Sequence, residues 1–233
     1  MANIILTSYF TGKPDPQRNV KIKANDPGYI SQWCKSIAAV GLAGIIFHNG
    51  LSKSFIKRFT SAAVSFKRVV LGAYSTNDER FLHWHAYLKS LKKKYEYALM
   101  TDVSDVVFVR DPFQFMELTN FNLYFGQEQR IIGDNMTMVK FMTEFYGSVL
   151  YGNKKVLNAG TIGGKFPAIL GFLEHMGVEI NRIGGLGNCN MSALNYVAYS
   201  KYKRSDFYAG RPFTSAFKAF EHPETTECYI VHK

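Results

Sequence analysis

Two aspartates, Asp102 and Asp105, combine a side-chain type and a spacing that could do chemistry. The apolar run at residues 97–100 has strand length and delivers Asp102 to its end, with Asp105 three residues later. A second β-branched run, 106–109, comes next, and Asp111-Pro112 stops it. Two carboxylates at the mouth of a buried strand repel each other and are costly to hold close without a cation. A hard divalent ion with oxygen ligands is the usual remedy, and such an ion often carries a substrate's phosphates as well. Taken alone, the same pair could cap a turn and face solvent. The neighbouring elements decide between these readings.

Residues 4–6 read as a strand, followed by a Gly/Pro/Asp-rich loop at 12–16. Ile30, Trp33, Ile37 and Val40 recur at helical spacing, and Gly41 supplies the stop. Residues 44–48 form a second buried strand, 51–59 a short helix and 66–71 a third strand. Thr76-x-x-Glu79 is a capping box that opens a long helix with Phe81, Trp84, Leu88 and Leu91 on one face. The fourth strand then reaches Asp102. This alternation predicts an α/β fold, a mostly parallel sheet with helices on both faces. Ligands in such sheets bind beyond the carboxyl ends of the strands. That rim gathers residues 7–11, 73–80 and 102–105. The second half is less regular, with a strand at 122–128, a helix at 136–145 and a short glycine-closed strand at 157–164. Helices follow at 166–176 and 191–199, and 228–233 reads as a final strand.

With 233 residues, 47% hydrophobic and 15% aromatic, the chain can bury one substantial core, so one domain is expected. No apolar run is long enough for a transmembrane helix. Residues 1–7 lack the charged and apolar regions of a signal peptide and read as the first core strand. Cys34, Cys189 and Cys228 match no zinc spacing and read as reduced thiols, which implies a cytoplasmic location. The net charge of +10, from 28 Lys+Arg against 18 Asp+Glu, suits an anionic partner such as a phosphorylated small molecule. Lys92-Lys93-Lys94 reads as a solvated helix terminus. No RNA-binding aromatic signature, zinc finger or basic zipper is present, so nucleic acid is not an expected partner.

Read together, these segments resemble the GT-A glycosyltransferases. Asp102-Val-Ser-Asp105 with the following Val-Val-Phe is similar to their metal-binding DxD region, and Asn158-Ala-Gly-Thr-Ile-Gly-Gly164 to their acceptor-side Asn-Ala-Gly segment. Cys189-Asn-Met-Ser-Ala-Leu-Asn-Tyr196 resembles the helix that usually begins Asp-Gln-x-x-Leu-Asn. Val231-His232 resembles the late histidine that completes the metal site, and Thr76 to Phe81 the helix start that contributes an arginine near the donor. The matches run in family order over nearly the whole chain. The opening Ile-Leu-Thr-Ser-Tyr-Phe-Thr-Gly-Lys-Pro-Asp-Pro-Gln also resembles the N-terminal domain of a chlorella-virus glycosyltransferase concerned with rhamnose transfer. Two departures stand out. The carboxylates are spaced Asp-x-x-Asp, which puts Asp105 at the second family Asp, and Asn190-Met191 replaces the usual Asp-Gln.

The resemblance implies one Rossmann-like GT-A domain with a mostly parallel mixed sheet. Residues 1–113 would form the nucleotide-sugar half and 114–233 the acceptor half, with the abrupt end after His232 expected of a domain from a longer protein or of an economical terminus. It also implies a metal-dependent, inverting hexosyl- or deoxyhexosyltransferase acting from a nucleoside-diphosphate sugar (UDP- or related) onto a glycan. Rhamnosyl transfer to a viral glycoprotein glycan is the specific expectation. Asp102, Asp105 and His232 would hold Mn²⁺, or Mg²⁺ as the substitute. Thr7, Tyr9, Phe10, Lys13, Arg80 and Asp102 would contact the donor, with Tyr9 or Phe10 stacking on the base and Arg80 or Lys13 on phosphate. Asn158, Gly160, Thr161, Gly163 and Asn190 would contact the sugars, the glycines allowing close approach. An inverting base is open among Glu128, Asp134 and Asp206. Two other functions stay in view. A sugar nucleotidyltransferase would use Gly12-Lys13-Pro14 as its phosphate loop, and a catalytically silent carbohydrate- or nucleic-acid-binding module would suit Asn190.

Overall fold

The computed structural model describes residues 2–92 and 95–233. A seven-stranded mixed sheet runs in the order β10-β8-β9-β6-β1-β4-β5. Four of these strands come from the first half: β1 (Ile4–Tyr9), β4 (Gly44–His48), β5 (Val64–Arg68) and β6 (Tyr97–Thr101). All four are parallel. The second half adds β8 (Leu123–Ile131), β9 (Lys155–Lys165) and β10 (Phe207–Ala209), with β9 antiparallel to both β6 and β8. Strand order reverses at β1, whose neighbours are β4 and β6, so the crevice beyond its carboxyl end is the expected ligand position.

Alternation along the strands sorts the core into two layers. Ile4, Leu6, Ala98 and Met100 face α3 (Thr76–Ser90), α6 (Phe166–Ile183) and α7 (Asn190–Lys201). Ile5, Tyr97 and Leu99 face α1 (Pro27–Ala39) and α4 (Pro112–Thr119). Three smaller pieces frame the rim: the hairpin β2 (Pro14–Asp15) and β3 (Val20–Lys21), helix α5 (Met136–Tyr146), and the antiparallel pair β7 (Val106–Phe108) and β11 (Ile230–His232). The short helix α2 (Lys53–Phe59) leads into β5. No helix among the described residues is long and apolar enough to cross a membrane.

The expected elements are present, with four local differences. The third strand is β5, ending at Arg68 rather than residue 71, because β4 ends at His48 and offers no partner further on. The cap of α3 begins one residue earlier than expected. Ser75 Oγ accepts the Asp78 N–H (3.2 Å), while Glu79 turns back to accept the Tyr74 N–H (3.1 Å). The glycine-rich segment lies inside the eleven-residue strand β9 rather than closing a short one. There Gly163 lets β9 pack closely, since a Cβ would come within 2.7 Å of Met116 Cε. Finally, α3 ends at Ser90, so Lys92 lies beyond it, and Lys93 and Lys94 fall outside the described residues.

Strand β9 is tied to α7 by Asn195, whose side chain is fully buried. Its Oδ1 accepts the Leu157 N–H (2.9 Å), and its Nδ2 donates to Leu157 O (2.9 Å) and Met191 O (2.8 Å). The β8–β9 register shifts beside this point, so the amide replaces ladder bonds. Asn195→Ala leaves buried backbone groups without partners and should cost about 2–3 kcal/mol. Chemical denaturation of the variant measures that loss.

Candidate metal centre and cleft

Strand β6, buried along its whole length, carries the chain to Asp102. Its last residue is clamped from two sides: Thr7 Oγ1 donates to Thr101 O (2.7 Å), and Trp33 Nε1 donates to Thr101 Oγ1 (2.9 Å). The Asp102 N–H then donates to Gly160 O at 2.9 Å, which locks the strand mouth to β9. A turn brings Asp105 round to β7. The pairing of His232 with Val106 in the β7–β11 ladder returns the last strand to the same spot. His232 is also held by its N–H to Ser215 Oγ (2.9 Å), and the Lys233 N–H donates to Asp105 O (2.9 Å).

Ligand atoms of Asp102, Asp105 and His232 therefore lie within 4.8 Å of one another. His232 Nε2 is 3.7 Å from Asp102 Oδ2 and 3.9 Å from Asp105 Oδ1, too far for hydrogen bonds but close enough to share a cation. The ring is 2% exposed, and its Nε2 has no hydrogen-bond partner among the described residues. Burial pushes the imidazole down to about 4, against the pull of Asp102, so a neutral ring presents a lone pair. Burial also pushes Asp105 up to about 7, with the Asp102 charge adding to it. For Asp102 burial acts upward too, but Arg80, together with His232, outweighs it and holds the carboxyl below its ordinary range. Arg80 pairs directly with Asp102 and donates to Ala159 O (3.3 Å), its guanidinium resting near Phe81 and Trp84. A divalent ion suits this set: two carboxylates, one protein cation between them, and an orphaned buried imidazole nitrogen. Gly160 keeps the chamber open, because a Cβ there would lie 2.5 Å from Asp102 Oδ2 and 2.6 Å from His232 Nε2.

The cluster opens into a cleft of about 980 Å³. Its carboxylates among the described residues are Asp15, Asp102, Asp105 and Glu128. Asp15 is occupied in the β2–β3 hairpin, where it accepts the Gln17 N–H (2.8 Å) and pairs with Arg18 (3.7 Å). Glu128 accepts from Asn135 Nδ2 (3.0 Å) and Asn158 Nδ2 (3.2 Å), and burial raises it above the usual carboxylate range. Asn158 Oδ1 in turn accepts the Gly160 N–H (2.7 Å), linking Glu128 to the metal cluster through one side chain.

Of the residues singled out from sequence, Phe10, Arg80, Asp102, Asp105, Glu128, Asn158, Gly160, Asn190 and His232 line this cleft. The others lie elsewhere. Thr7 is fully buried, its hydroxyl spent on Thr101. Tyr9 is a core residue whose hydroxyl donates to Lys23 O (2.5 Å), so its ring cannot meet a base. Lys13 donates to Gly72 O (2.6 Å) and Tyr74 O (2.5 Å), which anchors the chain outside the cleft and leaves no phosphate loop at Gly12-Lys13-Pro14. Thr161 and Gly163 are interior to the sheet, opposite Thr101 and Leu99. Asp134 is exposed outside the cleft, and Asp206 accepts the Lys203 N–H (2.8 Å) in its own turn.

Tyr29, Arg18, Phe217 and Lys218 line the cleft without having been singled out. Tyr29 stacks on Tyr9 with ring centroids 4.6 Å apart, and burial, followed by the Asp102 charge, pushes its hydroxyl up to about 12. Its place in the first turn of α1, just past the first-strand rim, was the available signal. Phe217 packs on His232 at 4.6 Å from a segment without periodicity, which gave none.

In sequence the chain matches no protein-family model and no curated protein. Its architecture is that of the GT-A glycosyltransferases. The galactosyltransferase LgtC, solved with donor and acceptor sugar analogues, superposes with a TM-score of 0.57 at 11% identity, over 98% of this chain and 86% of that one. An active-site variant of LgtC gives 0.59 at 9% identity over the same shares. Mouse xyloside xylosyltransferase 1, in its apo form, gives 0.53 at 12% identity over 100% of this chain and 98% of that one. At such identities the likeness establishes the fold.

The raised Asp105 gives a pH test. Its folded-state value of about 7 stands above the ordinary 3.8, so its contribution to stability is intact below about 3.8 and lost as pH rises toward 7. Asp105→Asn should therefore raise the melting temperature of the protein in chelator by about 2–4 °C, or ~1 kcal/mol, at pH 8. The gain should shrink toward zero at pH 4. Thermal melts across that range check it.

Proposed function

We propose that the protein is a metal-dependent glycosyltransferase that moves a sugar from a nucleoside-diphosphate sugar to a glycan acceptor. The observation that carries this is the orphaned His232 Nε2 facing Asp102 and Asp105 at the mouth of a large cleft in a GT-A fold. Mn²⁺ fits the mixed oxygen and imidazole set, with Mg²⁺ as its substitute. When bound, such an ion offsets the charge that builds on the departing diphosphate. Arg80 adds a second positive group there, and Gly160 gives the sugar room beside the ligands. Residues 1–113 are assigned to the donor and 114–233 to the acceptor, with His232 and Gly160 reaching across.

Among the three candidate bases, Glu128 is the one that lines the cleft. Its desolvated carboxylate, steered by Asn135 and Asn158, suits removal of the proton from the accepting hydroxyl in an inverting transfer. Rhamnosyl transfer to a viral glycoprotein glycan rests on the resemblance of the N-terminal segment. A cytoplasmic site of action is supported by the three unbridged cysteines. Asn190 favours a second reading, a silent carbohydrate-binding module, because an amide stands at the cleft where related helices begin with Asp-Gln. Turnover in a panel of nucleotide sugars with Mn²⁺ separates the two.

Four outcomes are expected. Calorimetry should show nucleoside diphosphate binding that collapses in EDTA, and His232→Ala should raise the metal concentration needed for both binding and transfer. Asp105→Ala should abolish transfer with the fold retained. Glu128→Gln should slow transfer by about 10²–10⁴-fold while the metal-supported nucleotide affinity persists. Steady-state rates beside nucleotide titrations read them.

A further inference from the structure

Beyond Glu128 the walls of the cleft carry Arg130 from β8, Lys140 from α5 and Lys218 from the segment that precedes β11. All three are exposed, and none forms an ion pair among the described residues. Arg18, which lines the same cleft nearer the metal cluster, is by contrast paired with Asp15. A single solvent-facing lysine is ordinary. Three like charges on the walls of one cleft, from three separate elements, give that end a positive potential that favours an anion.

Glu128 offsets only part of that charge. Arg130 and Lys218 are near enough to favour its ionised form, but it is one carboxylate against three cations, and each of its oxygens accepts from one amide, of Asn135 or Asn158, with a lone pair left for an acceptor hydroxyl. Lys218 is not a loose tip either. Its backbone is left-handed (φ +58°), a costly state for lysine, and its ammonium lies 5.0 Å from the centre of the Phe217 ring that packs on His232. The opposite end of the cleft has its own groups for a diphosphate, in Arg80, Arg18 and the ion that Asp102, Asp105 and His232 would hold.

We propose that the acceptor end of the cleft takes a sugar bearing a negative charge, a carboxylate or a phosphate, close to its accepting hydroxyl. This deepens the transferase reading and rests on it for the word acceptor. Arg130, Lys140 and Lys218 bind the anion, Glu128 meets the hydroxyl, and Met138, Phe141 and Met191 cover the C–H faces of the ring.

The test compares a neutral hexoside with its uronic acid and its 6-phosphate, each titrated by calorimetry into protein holding Mn²⁺ and a nucleoside diphosphate. At least one anionic member should bind about tenfold more tightly than the neutral one, and whether the carboxylate or the phosphate wins identifies the group. High salt should shrink the preference. The triple variant Arg130→Gln, Lys140→Gln, Lys218→Asn should lose it, asparagine being chosen because it tolerates the left-handed backbone. If the triple variant melts early, Lys140→Gln alone, on an exposed helix face, carries the comparison. Equal affinity for all three sugars in the unaltered protein would overturn the proposal. So would a nucleotide affinity that falls in the triple variant as steeply as the anionic sugar's, since the cations would then serve the donor. A protein that prefers the anionic sugar but turns over no nucleotide sugar sinks the transferase reading and leaves the anionic subsite standing. One that transfers equally to neutral and anionic sugars does the reverse.

Discussion

Charge imbalance at one strand mouth organises the molecule. Asp102 and Asp105 sit together in a half-buried place where the protein supplies one cation in direct contact, the Arg80 guanidinium. That cation belongs to Asp102, which stays ionised, while Asp105 is left desolvated and raised toward neutral pH. A buried neutral imidazole, one nitrogen unprotonated, faces both. Such a triad is unstable by itself and complete with a divalent ion. The clamps on Thr101, the β7–β11 ladder and the missing side chain at Gly160 all serve to hold that imbalance in one geometry.

The surrounding cleft continues the theme by dividing its polar groups. Arg80 and the Asp102–Asp105 pair cluster at the carboxyl ends of β1 and β6, whereas Glu128 and its two amides stand on β8, β9 and the start of α5. Asn158 joins the two regions, with one end of its amide on Glu128 and the other on the Gly160 backbone. Asn195 holds the neighbouring residue of the same strand from behind. Short amide contacts therefore relay position from the helix layer to the Asp102–Asp105–His232 cluster.

The first half of the fold was legible because each element carries its own period: α1 in Ile30, Trp33 and Ile37, β4 in an apolar run that matches its observed bounds. The gathering of Asp102, Asp105 and His232 in one place was legible through motif order. The misplacements have a common cause. Thr7, Tyr9 and Lys13 lie close in sequence to the ligand-bearing rim, but alternation and local carbonyls turn them inward or aside. Nothing in the sequence says which way a loop lysine will bend. The β9 glycines were read as a stop because the constraint on them, close approach of Met116 and the metal ligands, comes from residues distant in the chain. Phe217 and Lys218 lie in an aperiodic segment whose path depends on pairing between residues 127 and 216.

The β7–β11 ladder has a kinetic meaning. Its two strands are separated by most of the second half of the chain, and closing so long a loop is entropically slow. Until it closes, a folding intermediate holds two repelling carboxylates with no imidazole beside them. An ion held by all three side chains would therefore bind late, after β11 has paired with β7, and its free energy would be added to the folded state alone. In refolding experiments the ion would act as a latch on the last step, slowing unfolding far more than it hastens folding.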